Sequence, residues 1–402
     1  MHIFESFSTP VRYAPRVLVC GGGVAGIAAA IAAAREGADV LLVERGFLLG
    51  GLATAGLVTI FLPLCDGCGK QVSFGLAEEL LRLSVALSCD GKRGAEPWLH
   101  SQNPQDRLPP APRFEVNFNP QLFALQAEEL LLRLGVRILY GTSAVAVSVR
   151  DRKIQAVMME GKSGRFAVAP VCVIDATGDA DLAALAGAPV VRFGQGNVLA
   201  AWYYTAGKNG YCLRPLGVAD IPDEQKASAP PVPYLSSQRF SGLDTEEISA
   251  FVSLSHHTVL SDYTEKKKAD PTFGEPATLP TIPQLRMTRR IAGAYTLHDS
   301  EMHCAFPDSI GMVSDWRKRG PIYEVPFRTL YSPALRNLLV AGRCTSVTDA
   351  MWDIMRVIPC CAVTGQAAGC AAAISDDIHT LSSEQLQSTL RLQHVRIHES
   401  EL

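Results

Sequence analysis

The sequence predicts an α/β fold: a parallel sheet wrapped by helices and interrupted by a second, α+β unit. Three observations carry this. The chain opens on a strand, a glycine turn, a helix and a second strand; two further apolar strands far downstream each end in a glycine turn; and residues 196–321 separate those two strands while holding most of the His, Arg and Tyr that fit no such pattern.

The opening stretch, RVLVCGGGVAGIAAAIAAAR, places 18 uncharged residues between Arg16 and Arg35. A membrane-crossing helix is dense in Leu, Ile, Val and Phe; here Ala and Gly dominate, and the stretch is a weak span. Val17-Leu18-Val19-Cys20 instead reads as a strand buried on both faces. Gly21-x-Gly23-x-x-Gly26 follows, then a helix to Glu36 stopped by Gly37, then a second strand, Val40-Leu41-Leu42-Val43, ended by Glu44. One glycine makes the tight turn, another lets backbone approach a pyrophosphate, and the third lets helix and strand pack closely. Free amides over Val24 and Ala25, at the helix N-terminus, face the phosphates. Glu44, with Arg45 beside it, is placed to accept hydrogen bonds from adenosine ribose hydroxyls. The set predicts a Rossmann-like nucleotide-binding domain.

Totals bound the rest. A chain of 402 residues with 48% hydrophobic and 19% charged residues builds a large core rather than extended disorder. A net charge of −3 gives no broad field for nucleic acid or an anionic membrane. Lys266-Lys267-Lys268, flanked by Glu265 and Asp270, reads as a solvated loop. Eleven cysteines, an odd number scattered along a long chain, read as reduced thiols. With no basic flank and apolar run at the N-terminus, a cytoplasmic location is expected.

The βαβ unit alone does not separate FAD from NAD, since both carry an adenosine and a pyrophosphate. Three later segments bear on the choice. Gly50-Gly51-Leu52-Ala53-Thr54-Ala55-Gly56 follows closely on Glu44. Val171-Cys172-Val173-Ile174-Asp175 is a strand running into Ala176-Thr177-Gly178-Asp179. Asn337-Leu338-Leu339-Val340-Ala341 is another, running into Gly342-Arg343-Cys344 and on through Arg356-Val357-Ile358-Pro359 to a small, apolar helix containing Gly365. Pro359 suits that helix's first turn.

On these segments the chain resembles the FAD-dependent oxidoreductases of the glutathione-reductase-like flavoprotein class, from about Val11 to Ile374. The resemblance implies an FAD/NAD(P)-binding domain of the glutathione-reductase type, with FAD as cofactor. Gly50, Gly51, Ala53 and Thr54 would lie beside the flavin phosphates and ring; Ala176, Thr177, Gly178 and Asp179 would touch FAD where the chain returns to the nucleotide domain. Gly342, Arg343, Arg356, Val357 and Gly365 belong to the flavin-facing segment, whose helix N-terminus would stabilise negative charge gathering on the reduced ring. The family often has proline where Val24 stands; valine also fits a helix start.

The remaining chain divides around this. Asn119-Pro120 to Gly135 is a well-punctuated helix. Residues 136–140, 144–150, 153–160 and 165–169 alternate as strands with a hairpin at Gly161–Gly164, and by resemblance the backbone near Ala144 and Val145 would touch adenine. The expected division is an FAD-binding domain of residues 1–195 and 322–402, with a substrate or cap domain of 196–321. In the cap, Pro222, Pro230, Pro231 and Pro233 mark a loop, and Asp244 to about Tyr263 reads as a helix.

The flavin would do the redox chemistry while the protein supplies position, charge and sometimes a proton. Arg356 and Arg343 are the first candidates for polar groups near the ring. Arg286, Arg289 and Arg290 form a run that resembles a recurring family segment, Arg290 weighed equally as an ion-pair residue. Asp349, Trp352 and Asp353 either line the pocket or hold their loop. His256-His257 point to different faces of a helix, so shared metal ligation is not expected. Cys65-x-x-Cys68 lacks the second pair that zinc wants and lies a dozen residues past the position of a redox disulfide. No metal is expected.

The expected activity is two-electron transfer between bound FAD and a small organic substrate. C=C reduction or formation comes first, by analogy with fumarate-reductase-type relatives, and a further electron donor or acceptor is required. The rivals are a non-redox or NAD-using enzyme, or a cofactor-free binding protein, on the same fold.

Overall fold

The computed structural model describes residues 3–4, 6–87, 116–208, 210–217 and 234–402. Its centre is a five-stranded, wholly parallel sheet in the spatial order Leu338–Val340, Cys172–Asp175, Val17–Cys20, Val40–Val43, Arg137–Leu139. The chain builds outward from Val17–Cys20 in one direction, then returns to build in the other. The order therefore reverses between Val17–Cys20 and Cys172–Asp175, and the crevice beyond the carboxyl ends of those strands is where such sheets bind ligands.

Alternate side chains of the sheet enter two different cores. Val17, Val19, Leu42, Cys172, Ile174 and Leu339 pack among the helices. Leu18, Cys20, Leu41, Val43, Val173 and Leu338 pack against a four-stranded sheet in the order Val11–Tyr13, Gly164–Val168, Lys153–Gly161, Ser143–Arg150. Burial on both faces explains why these strands are continuously apolar.

The first helix, Val24–Arg35, is buried from Val24 through Ala33. Its alanines lie against the closing helix, Ile358–Ile374, at backbone distance. A Cβ on Gly365 would stand 2.3 Å from the carbonyl oxygen of Ala25, and one on Gly369 2.2 Å from that of Ala29. Gly26 makes the equivalent contact on the strand side, where a Cβ would come within 1.9 Å of the Gly21 carbonyl. The small residues that made the opening stretch a poor membrane span are thus a packing requirement. Among the described residues no single helix is long and apolar enough to cross a membrane.

The helix expected at Asn119 is present as Pro120–Arg133, with the Asn119 side chain accepting from the amides of Gln121 and Leu122. In the cap, Thr245–Ala269 is a single helix started by the Asp244 carboxylate, which accepts from the Glu247 amide. It runs six residues past the expected end, so Lys266, Lys267 and Lys268 form its last turn rather than a loop. Cations there complement the helix dipole, and Lys267 also donates to the Phe273 carbonyl at 3.0 Å. The helix accompanies a three-stranded sheet in the order Gly210–Arg214, Tyr203–Gly207, Glu275–Thr278. The proline-rich loop expected at 222–233 lies outside the described residues.

The expected boundary at 321 falls between two paired strands, Ser309–Ser314 and Ile322–Pro326, the first of which packs on the closing helix. Arg289–Ile291 likewise pairs with Val190–Arg192.

Because Gly365 sits at the helix crossing, Gly365→Ala should cost about 1–3 kcal/mol through overpacking, read as a lowered urea midpoint. Gly194→Ala, whose added methyl meets nothing within 4 Å, should leave the midpoint unchanged.

Candidate functional site

A cavity of about 1880 Å³ begins at the crevice of the central sheet and continues to Trp202, Pro215, Leu243 and Ile248. It exceeds what a drug-sized ligand requires and has room for a dinucleotide and a second molecule.

At the sheet end the wall is backbone. Gly21 takes φ +104, and a Cβ there would lie 2.4 Å from the Ala176 carbonyl, so this glycine closes the two central strands onto each other. Gly23 behaves oppositely. It caps the first helix with φ −68 and no side-chain cap, and a Cβ on it would meet nothing within 4 Å. The space beside it is open, and Val24 and Ala25 line it with the helix N-terminus behind them. Glu44 is 6% exposed; its two carboxylate oxygens accept from the amides of Gly22 and Gly46, each at 2.7 Å. Each oxygen retains a lone pair for a hydroxyl donor. Arg45, Thr142, Ser143 and Ala144 continue this end of the wall.

The second glycine pair and the Ala176–Asp179 turn form the middle. Gly50 and Gly51 both have positive φ, and Ala53 faces the cavity. Asp175 is fully buried and accepts from the amide and hydroxyl of Thr177 and from the amide of Ala183, which fixes the turn bearing Gly178 (φ +84) and Asp179. Burial pushes the Asp175 carboxyl up from its usual range.

At the far end Gly342 is tied to the closing helix, its amide donating to Thr364 Oγ1 at 3.0 Å. That helix starts without a side-chain cap, and Val357, Ile358 and Cys361 bring its N-terminus to the cavity wall. Arg356 precedes it, held by Asp353, which is wholly buried and also accepts from Arg317 Nη1 at 3.3 Å. Arg343 reaches across Gly178 to Asp179, at 3.5 Å, and donates to the Leu285 carbonyl. Segment 281–284 is tied to the loop beyond the second glycine pair. The Thr281 amide donates to the Ala55 carbonyl at 2.8 Å, and Gln284 Nε2 donates to that of Gly56 at 2.7 Å.

The run Arg286, Arg289, Arg290 splits three ways. Arg289 lines the cavity and pairs with Asp181 at 2.7 Å. Arg290 is buried against Asp349 and over the Trp352 ring, away from the cavity wall. Arg286 lines the cavity and has no carboxylate within ion-pair reach among the described residues. Burial lowers its guanidinium to about 9; Arg356 and Arg343 push the same way, and Asp353 opposes them.

Four expected site residues stand off the cavity wall. Gly26 and Gly365 are occupied by helix packing. Thr54 is buried, its hydroxyl donating to the Leu49 carbonyl within the Gly50 turn. Val145 follows Ala144 at an irregularity of the strand, where the pairing with Lys153–Gly161 skips from Ala144 to Ala146. Asp349, Trp352 and Asp353 lie on a short helix, Asp349–Met355, rather than in a loop, and stand off the cavity wall, Trp352 donating to the Arg343 carbonyl. His256 and His257 are exposed on the cap helix, and Cys65 and Cys68 lie off the cavity, one buried and one exposed. Among the described residues no group of His, Cys, Asp and Glu is placed to hold a metal ion. Thr142, Trp202 and Lys318, which no motif marked, also line the wall.

The family model described as FAD dependent oxidoreductase matches residues 16–199 and 263–390, most of the chain. The chain belongs to this FAD-dependent oxidoreductase family. It is an oxidoreductase whose cofactor is FAD. Thioredoxin reductase of Ureaplasma parvum serovar 3 is 32% identical over 71 residues, 18% of this chain and 23% of that protein. The chain thus matches less than a quarter of that relative's length. Among solved structures, a geranylgeranyl bacteriochlorophyll reductase-like protein of Thermoplasma acidophilum shares 12% identity over 94% of this chain and 83% of its own, with TM-score 0.45. The p-nitrophenol 4-monooxygenase of Pseudomonas putida shares 11% over 94% and 84%, with TM-score 0.44. Likeness of that depth says nothing of substrate.

Asp181, on the cavity wall, is pushed up to about 6 by burial, then by Asp179 and Asp175, against Arg289 and Arg45. Its unfolded value is about 4, so the native state binds the proton more tightly. The resulting stabilisation is present near pH 4 and is lost as pH rises through 6. Asp181→Asn should flatten the fall in Tm between pH 4 and pH 7 by about 1–2 °C, an effect kept small by its partial exposure.

Proposed function

We propose that the cavity holds FAD along its length, from an adenosine end at Glu44 to a ring end at the closing helix, and that a small organic substrate reaches the ring from the cap side. The observation that carries this is the open space beside Gly23, which continues without interruption to Arg343 and Arg356. The backbone at Gly21–Ala25 would hold the pyrophosphate, Glu44 and Arg45 the ribose side, and Ala176–Asp179 the middle. Gly50, Gly51, Ala53 and Gly342 would lie along the ring. When bound, FAD supplies two-electron redox chemistry.

The chain's own part is positioning and charge. The uncapped N-terminus of Ile358–Ile374 and the Arg356 guanidinium place positive potential where negative charge gathers on reduction. Asp353 fixes the position of Arg356, and Arg317 shares the same carboxylate. Arg343 joins Asp179 on the nucleotide side to Leu285 on the substrate side. Residues from about 196 to 288 act as the cap, and reduction or formation of a C–C double bond is the reaction to examine first. An electron donor or acceptor outside the chain completes the cycle, and a cytoplasmic setting suits the scattered thiols.

The visible spectrum of the purified protein, before and after dithionite, tests this directly. A flavin band that bleaches supports it; a colourless protein that takes up no added FAD overturns it. A finer test contrasts two glycines. Gly23→Ala should leave the Tm of the cofactor-free protein within about a degree, since the methyl enters empty space at an ordinary φ, yet weaken FAD binding at least ten-fold. Gly21→Ala should lower Tm sharply, because its methyl collides with Ala176 and its φ is positive.

A further inference from the structure

Arg286 has a setting unlike that of its neighbours. Its residue is nine-tenths buried, yet its side chain lines the cavity. The guanidinium lies over the Trp202 ring at 5.0 Å and donates from Nη2 to Gln284 Oε1 at 2.8 Å; Gln284 is anchored in turn on the Gly56 carbonyl. Its backbone amide and that of Met287 donate to Asn197 Oδ1 at 2.9 and 3.0 Å. The group is therefore oriented by partners that are all uncharged. Arg343 has Asp179, and Arg356 has Asp353. A buried cation without a counter-ion is costly, and a preset guanidinium is well matched to a carboxylate.

Apolar side chains share the lining of the same cavity, among them Val58, Ile60, Leu243, Ile248 and Ile282. Arg343 lies over Gly178 and donates to the carbonyl of Leu285, the residue before Arg286.

Resting on the reading of the cavity as an FAD and substrate site, the geometry points to Arg286 as the anchor for a substrate carboxylate, and to a substrate that is an amphipathic monoanion. The Arg286 guanidinium, which has no carboxylate partner among the described residues, takes one carboxylate, and the apolar part of the lining takes the body of the molecule. Gln284 and Trp202 are positioning residues that hold the guanidinium plane. The carboxylate forms two parallel hydrogen bonds with N–H groups of Arg286; no covalent step is involved.

The probe pair is 4-phenylbutyrate and its uncharged amide, 4-phenylbutanamide, titrated into the FAD-loaded protein by calorimetry and by perturbation of the flavin spectrum. The acid should bind at least ten-fold more tightly than the amide. Arg286→Gln should abolish that preference while keeping FAD, its spectrum and the Tm, and Arg286→Lys should retain part of it. Equal binding of acid and amide, no binding of either, or an acid affinity unchanged in Arg286→Gln would overturn the assignment. So would loss of FAD from a folded Arg286→Gln protein, which would give the residue to the cofactor. If the wild-type protein takes up no FAD, the proposed function fails, whereas calorimetry still reads the preference for the acid without a chromophore.

Discussion

The first helix and the closing helix meet with almost nothing between their backbones. Gly365 and Gly369 leave room for the Ala25 and Ala29 carbonyls, and Gly26 leaves room for that of Gly21 on the opposite side. This approach fixes the distance between the two helix N-termini that open on the cavity, one at Val24 and one at Ile358. A single methylene inserted at the crossing would separate them and widen the cavity along its length. The Thr364–Gly342 hydrogen bond carries the same constraint into the Arg343 segment, so the positions of Arg343 and Arg356 depend on a contact made of glycine and alanine.

Charge in the cavity is arranged with equal economy. Asp353 lies wholly buried between Arg356 and Arg317, and Arg317 also lies on Asp315. Asp179 faces Arg343, and Asp181 faces Arg289. Arg286 lacks such a carboxylate among the described residues, and its guanidinium is lowered first by burial and then by Arg356 and Arg343.

Much of this was legible in the sequence because backbone demands leave strong marks. The glycines at 21, 23 and 26 follow from a turn, a phosphate and a packing distance, and the doubly buried strands are readable as apolar runs. The helix at Asn119–Gly135 carried its own caps. Less visible was anything set by tertiary partners. Arg286, Arg289 and Arg290 stand close together in the sequence, and only the positions of Asp181 and Asp349, distant in the chain, decide which arginine is left unmatched. Gly365 reads equally as a cofactor contact or a packing contact until the first helix is placed against it. The backbone near Ala144 and Val145 was expected beside adenine; Ala144 lines the cavity and Val145 sits at an irregularity in the strand pairing, which is set across the sheet. The end of the cap helix was misjudged because a lysine run is as compatible with a last helical turn as with a loop.

The two hydrogen bonds from Thr281 and Gln284 to the carbonyls of Ala55 and Gly56 have a mechanical consequence. They couple the loop beside Gly50 and Gly51 to the strand of chain that carries Arg286, so a tilt imposed on one is transmitted to the other. The backbone beside the second glycine pair is thereby tied directly to the segment that carries Arg286, and the nucleotide end and the Arg286 end of the cavity share one hydrogen-bonded frame.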